Sequence, residues 1–245
     1  MARRIKKEYI TDQKRSEKEC QEDGYWLFFD ESDLYKFQIL VKAADDTPYE
    51  GGFYHFSGSL PTDYPFKPPK IKLLTTGGGR IRFNPNLYAE GKVCLSILGT
   101  FIGTDSGEKG DEWMSSMTIR TICLSIRSLL NENPASNEPA LDGVDVNSET
   151  SQKYIKYVRY STVKFAGIDH FKRKTNLPEK FQEVVDNFWK ENPDKYKNLI
   201  ACYQANYSSK PEKPDTSQTL FKTDFEKLEK MSNGFDWNIL FKELE

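Results

Sequence analysis

Between Tyr25 and Leu74 the chain keeps a two-residue alternation and never settles into a helical period, and this limits its fold more than any other feature. Tyr25 to Phe29 is apolar, Tyr35, Phe37, Ile39 and Val41 alternate with mostly polar neighbours, and Phe53 to Leu60 and Lys70 to Leu74 continue the pattern. Successive strand side chains point to opposite faces, so a period of two predicts strands. Asp30 to Asp33 and the stretch from Asp45-Asp46-Thr47-Pro48 to Gly51-Gly52 supply turns. Strands joined by turns, with no crossover helix between them, pair antiparallel, and the expectation is a four-stranded meander. Pro61 to Pro69 contains four prolines, which fix φ and remove backbone donors, so it reads as a rigid loop between the last two strands.

Helical spacing appears on both sides of this block. The stretch from Arg3 to Tyr9 reads as a helix with a basic face continuing toward Lys18. Ile119, Ile122, Cys123, Ile126, Leu129 and Leu130 form a stripe between Thr118 and Asn131 that fits one face of the sheet, which makes Cys123 a core residue. A further helix carries Tyr154, Tyr157, Val158, Ser161 and Phe165; Gly167 and the polar run to Asn176 then suggest a boundary. The expected organisation is an α+β core over 1–166 and a helical extension over 167–245. The extension contains a helix through Phe181, Val184, Val185, Phe188 and Trp189, a proline-rich linker from Ser208 to Ser217, and a helix-like stretch from Leu220 to Met231.

Charge and cysteine usage narrow the function classes. Lys and Arg total 35 against 37 Asp and Glu, a net charge of -2, so no global basic field argues for a nucleic-acid partner. No run approaches the roughly 18 apolar residues of a membrane span, and the basic start lacks the apolar core of a secretory signal. Cys20, Cys94, Cys123 and Cys202 form no C-x-x-C pair, so neither a zinc site nor a disulfide framework is expected, and reduced thiols in the cytoplasm or nucleus are. Gly77-Gly78-Gly79 lacks the phosphate-loop pattern and its strand-loop-helix context, and no cofactor is implied.

Cys94 ends a glycine- and asparagine-rich loop instead of sitting on an apolar helix face, so it is expected to be accessible and reactive. A lone loop cysteine is structural more often than catalytic, and its surroundings decide. Tyr64-Pro65-Phe66-Lys67-Pro68-Pro69-Lys70-Ile71, Phe83-Asn84-Pro85-Asn86, Gly91-Lys92-Val93-Cys94-Leu95, Trp113 and the segment from Leu129 to Pro139 follow one another in an order that resembles the ubiquitin-conjugating enzymes. The resemblance covers about residues 3–165. The Gly-Gly-Gly-Arg loop, Asn-Pro-Asn and Val-Cys-Leu-Ser-Ile-Leu-Gly-Thr are shared with the Z-type members.

The resemblance implies that Cys94 carries ubiquitin or a ubiquitin-like modifier as a thioester, received from an activating enzyme and passed to a ligase cysteine or a substrate lysine. Thiol exchange of this kind needs thiolate character but no acid-base triad, and only His55 and His170 are available. Asn86 matches the family asparagine that supports the loop and stabilises the oxyanion, beside its alternative as a turn-former next to Pro85. Where most of the family has His-Pro-Asn this chain has Asn84, as the Z-type does. Glu138 is the candidate carboxylate for amine deprotonation, with a solvated loop glutamate as the alternative. Phe66, Trp113, Ser115 and Ser116 would face a ligase, and Arg3, Arg4, Lys6 and Lys7 an activating enzyme, for which Z-type likeness adds a noncanonical form as an alternative to the common one. Trp113-Met114-Ser115-Ser116-Met117 lacks the family's proline, which bears on that loop's shape. Tyr64-Pro65 is expected to be cis, and the stretch from Gly99 to Asp111 is expected to be an exposed insertion beside the cleft. A rival reading is a noncatalytic module of the same fold that positions ubiquitin; retention of Cys94 and Asn86 opposes it. A redox sensor would need a resolving cysteine nearby in sequence, and none is present.

Overall fold

The computed structural model describes residues 2–100, 113–206 and 236–244. Among these, β1 (Tyr25–Asp30), β2 (Asp33–Lys42), β3 (Phe53–Ser59) and β4 (Lys70–Leu73) form one antiparallel sheet in the order β1-β2-β3-β4, the meander expected from the alternation. Leu27 pairs with Ile39 and Ile39 with Phe56, so one apolar row crosses three strands. Helix α3 (Ile119–Leu129) lies against this sheet with Ile119, Ile122, Cys123 and Ile126 buried, and Thr118 caps its first turn. Cys123 is a core residue, as its place on the stripe requires, and burial pushes its thiol well up.

The N-terminal helix does not run on to Lys18. Helix α1 (Ala2–Gln13) stops, and Ser16 starts α2 (Glu17–Asp23) through a capping box: its hydroxyl accepts from the Glu19 N–H and its own N–H donates to the Glu19 carboxylate at 2.7 Å. The local capping chemistry outweighs the continued helical pattern.

Helix α4 (Glu149–Ser161) passes through a π-helical stretch, Thr162–Ile168, into α5 (Asp169–Phe171), so the helical run crosses residue 166 without a break. Gly167 is small for a packing reason, since a Cβ there would stand 2.4 Å from the Tyr196 ring. Helix α6 (Glu179–Glu191) covers part of the sheet: Phe181 stacks on Phe28 at 4.9 Å and Phe188 meets Phe53 edge-on at 5.2 Å. Two helices escaped the sequence reading, α7 (Lys195–Asn206) and α8 (Trp237–Lys242). Trp237 sits 5.2 Å from the rings of Tyr160 and Tyr203, and the Glu243 carboxylate accepts from Lys164 at 2.7 Å and Lys174 at 2.8 Å. The extension therefore shares one continuous core with the sheet. The linker expected at 208–217, the helix expected at 220–231 and residues 101–111 of the insertion lie outside the described residues.

Candidate active site

Cys94 follows a short hairpin laid beside β4. Leu73 donates its N–H to the Gly91 carbonyl at 2.9 Å, and Leu87 pairs with Val93. Gly91 turns the chain at φ 94°, where a Cβ would come 2.5 Å from the Leu73 carbonyl oxygen, so only glycine fits. Cys94 and Asn86 then grip each other twice: the Cys94 N–H donates to the Asn86 carbonyl at 2.8 Å, and the Asn86 amide donates to the Cys94 carbonyl at 2.9 Å.

The thiol is less accessible than expected. Cys94 is 6% exposed, and its Sγ donates to the Thr100 carbonyl at 3.4 Å. The cause lies in its neighbours: Val93, Leu95, Ile97 and Leu98 are all buried and draw the segment inward. The Thr100 hydroxyl donates to the Val93 carbonyl at 2.7 Å and accepts from the Leu95 N–H at 3.1 Å, which folds the chain back across Cys94.

Asn84 has a larger part than a departure from the family pattern would suggest. Fully buried, it donates to the Tyr49 hydroxyl at 2.8 Å and the Leu129 carbonyl at 2.9 Å, and its Oδ1 accepts from the Asn86 N–H at 2.9 Å. Tyr49 in turn donates to the Phe83 carbonyl at 3.0 Å. The turn that presents Asn86 is thus tied to the end of α3. Residue type and a following proline were the available signals, but they mark any turn.

Glu138 follows the 3-10 turn Pro134–Asn137 beyond α3, and its carboxylate lies 3.9 Å from Arg82. Arg82 donates to the Pro85 carbonyl at 2.6 Å and lies 4.1 Å from the Tyr88 ring centroid. Nothing in the sequence reading singled out Arg82; an isolated arginine carries no motif. Neither histidine has Cys94 as a hydrogen-bond partner. His55 bonds to Gln38 at 2.6 Å, and His170 to Thr175 at 2.7 Å and the Phe53 carbonyl at 3.0 Å; burial lowers both to about 4.

The expected partner-facing residues divide. Phe66 is 78% and Met114 58% exposed, and Ser115 and Ser116 face solvent with them. Trp113 is half-buried instead: its indole donates to the Pro65 carbonyl at 2.6 Å, and its ring lies 6.0 Å from Tyr64, whose bond to Pro65 is cis as expected. Arg4 is drawn into the fold, donating to the Met117 carbonyl at 2.8 Å and to Glu8 at 2.7 Å, while Arg3, Lys6 and Lys7 are exposed. Glu8 also accepts from the Tyr64 hydroxyl at 2.6 Å and the Ile119 N–H at 3.1 Å. One carboxylate thereby fastens the proline loop and the start of α3 to α1, and Arg4, which it holds, reaches the Met117 carbonyl. Among the described residues no cluster of His, Cys, Asp or Glu could hold a metal, and no helix is long and apolar enough to cross a membrane.

Comparison with known proteins matches the ubiquitin-conjugating enzyme family over residues 4–162. "Ubiquitin-conjugating enzyme E2 Z" of Homo sapiens is 38% identical over 179 residues, which is 73% of this chain and 48% of that protein. Its counterpart in Xenopus tropicalis is 38% identical over 173 residues, 71% of this chain and 53% of the other. "Probable ubiquitin-conjugating enzyme protein 17" of Caenorhabditis elegans is 37% identical over 168 residues, 67% of this chain and 22% of its own length. The chain spans about half the length of the vertebrate relatives it matches.

Proposed function

Since the chain belongs to the ubiquitin-conjugating enzyme family, we propose that it accepts ubiquitin or a ubiquitin-like modifier from an activating enzyme as a thioester on Cys94 and transfers it to a ligase cysteine or a substrate lysine. In charging, the Cys94 thiolate attacks the thioester carbonyl on the activating enzyme, a new C–S bond forms, and the supplier's thiolate departs. The exchange is close to isoenergetic, so positioning counts for more than driving force. In discharge to lysine, the amine forms a C–N bond, a proton goes to solvent, and the C–S bond breaks to release the Cys94 thiolate.

The observation that carries this reading is the double grip between Cys94 and Asn86. It supports a cysteine whose backbone is fixed while its sulfur changes partners, and it keeps an amide donor beside the thioester. A donor aimed at a developing oxyanion is typically worth about 3 kcal/mol. The bond from Sγ to Thr100 has to open before the sulfur can attack.

Arg3, Lys6 and Lys7 are the exposed basic residues we assign to the activating enzyme, with Arg4 acting behind them through Met117; Phe66, Met114, Ser115 and Ser116 are those we assign to a ligase. We assign the protein to a reducing compartment such as cytoplasm or nucleus, because its four cysteines lie far apart in sequence and form no C-x-x-C pair. Retention of Cys94 and Asn86 weighs against a noncatalytic positioning module.

The test is a charging assay with ATP, ubiquitin and each of the two activating enzymes. Native protein should form a reductant-sensitive adduct, Cys94→Ala none, and Cys94→Ser an adduct that persists in reductant. An adduct on Cys94→Ala, or none on native protein with either enzyme, would remove Cys94 as the ubiquitin carrier.

A further inference from the structure

We infer that Arg82 is a positioning residue for transfer to lysine, and that Glu138 acts on that step through Arg82 rather than directly on the incoming amine. The inference rests on the thioester reading of Cys94.

The Pro85–Asn86 peptide unit is held at both poles. Its carbonyl accepts from Arg82 Nη2 at 2.6 Å, and its N–H donates to Asn84 Oδ1 at 2.9 Å. A peptide is planar, so a unit held at both poles cannot turn about the flanking dihedrals without losing one bond. The orientation of Asn86 follows from that plane. Its side-chain amide, bonded to the Cys94 carbonyl at 2.9 Å, lies eight residues away in sequence from the cysteine it serves.

The two grips come from different parts of the fold. Asn84 is set by Tyr49 and the end of α3. Arg82 is set by the Tyr88 ring at 4.1 Å and by the Glu138 carboxylate at 3.9 Å, with both charged side chains less than one-fifth exposed. Partial burial strengthens such a pair relative to one in open solvent. Contacts therefore run from Glu138 to Arg82, to the Pro85 carbonyl, to Asn86 and to Cys94, and the nearest charge to Glu138 along this route is the guanidinium. A carboxylate so placed reaches the reaction by aiming the asparagine.

Transfer to lysine depends on that aim more than charging does. Thiol exchange begins and ends on a thiolate. Both steps add a nucleophile to the carbonyl and form an oxyanion, but the amine adduct must survive until it loses its proton, and a donor displaced by about 1 Å costs about 10²-fold in such a step.

The experiment charges the full chain with ubiquitin, then follows single-turnover discharge to free lysine for native protein, Arg82→Met, Arg82→Lys, Glu138→Gln and the double variant Arg82→Met/Glu138→Gln. Arg82→Met should charge within about twofold of native yet discharge roughly 10–100-fold more slowly at saturating lysine, with the half-saturating lysine concentration unchanged. Arg82→Lys keeps one donor for the Pro85 carbonyl and should recover part of the rate. Glu138→Gln should slow native discharge by about 3–10-fold and have no further effect on the Arg82→Met background.

A second measurement needs no charging: hydrogen exchange of the Asn86 side-chain amide, followed by NMR in the uncharged protein. It should speed up by about tenfold in Arg82→Met. Unchanged exchange of that amide, normal discharge by both Arg82 variants, or an equal effect of Glu138→Gln on both backgrounds would overturn the inference. Failure of native protein to charge would count against the thioester reading, and the amide exchange would still decide the role of Arg82.

Discussion

At the scale of single residues, Asn84 shows how a buried polar group can decide a site. Its removal would not orphan every partner, because the Tyr49 hydroxyl still donates to Phe83 and the Leu129 carbonyl still accepts from Asn137 at 2.9 Å. The Asn86 N–H alone loses its acceptor. An unsatisfied buried donor costs about 1–3 kcal/mol, so Asn84→Ala should lower stability by about 2 kcal/mol. Urea denaturation of the two proteins measures this, and a loss below about 0.5 kcal/mol would mean the turn is held by something else. Cys94 and Asn86 were legible in the sequence because they lie in a long ordered motif. Arg82, Asn84 and Glu8 were not, since their roles depend on where a side chain points and not on its spacing.

At the scale of elements, the helical run from Glu149 to Phe171 sets a local preference against packing. Glycine inside a helix costs about 1 kcal/mol relative to alanine, so propensity alone would favour Gly167→Ala. The new methyl group would stand 2.4 Å from Tyr196, which is fully buried and bonded through its hydroxyl to the Gly51 carbonyl. Overpacking a core of this density costs about 1–3 kcal/mol. The clash should win, and Gly167→Ala should be less stable by about 1 kcal/mol; a more stable variant by thermal melting would show that α7 gives way freely. The same competition makes a glycine such as Gly167 ambiguous in sequence, since it marks helix ends and close helix contacts alike.

At the scale of the whole molecule, stability should fall on the acid side. His55 and His170 are held near a pKa of about 4 against an ordinary 6.5, so the unfolded chain binds protons that the folded one refuses between those values. Asp12 works in the opposite direction, since burial raises it to about 6 from 3.8 despite Arg15 at 3.5 Å, and stability from that group is regained as pH falls through this range. Two histidines outweigh one aspartate, giving a net loss on the order of 3 kcal/mol between pH 6.5 and 4. Equilibrium unfolding across that range would show it, and a flat profile would mean that the histidines protonate without disturbing the fold.

The sequence by itself determined the antiparallel meander and the amphipathic helices α3, α4 and α6, and its long motif singled out Cys94 and Asn86 as candidates. Periodicity and long motifs are local properties, and each follows from neighbours along the chain. The tertiary structure alone decided that Cys94 is buried, that Arg4 serves the fold while Arg3, Lys6 and Lys7 stay exposed, and that the extension joins the core of the sheet. Each of these depends on contacts between residues distant in sequence: Glu8 with Tyr64 and Ile119, Trp237 with Tyr160, and Glu243 with Lys164. Spacing within one segment has no access to such pairings, because they exist only once the segments have packed.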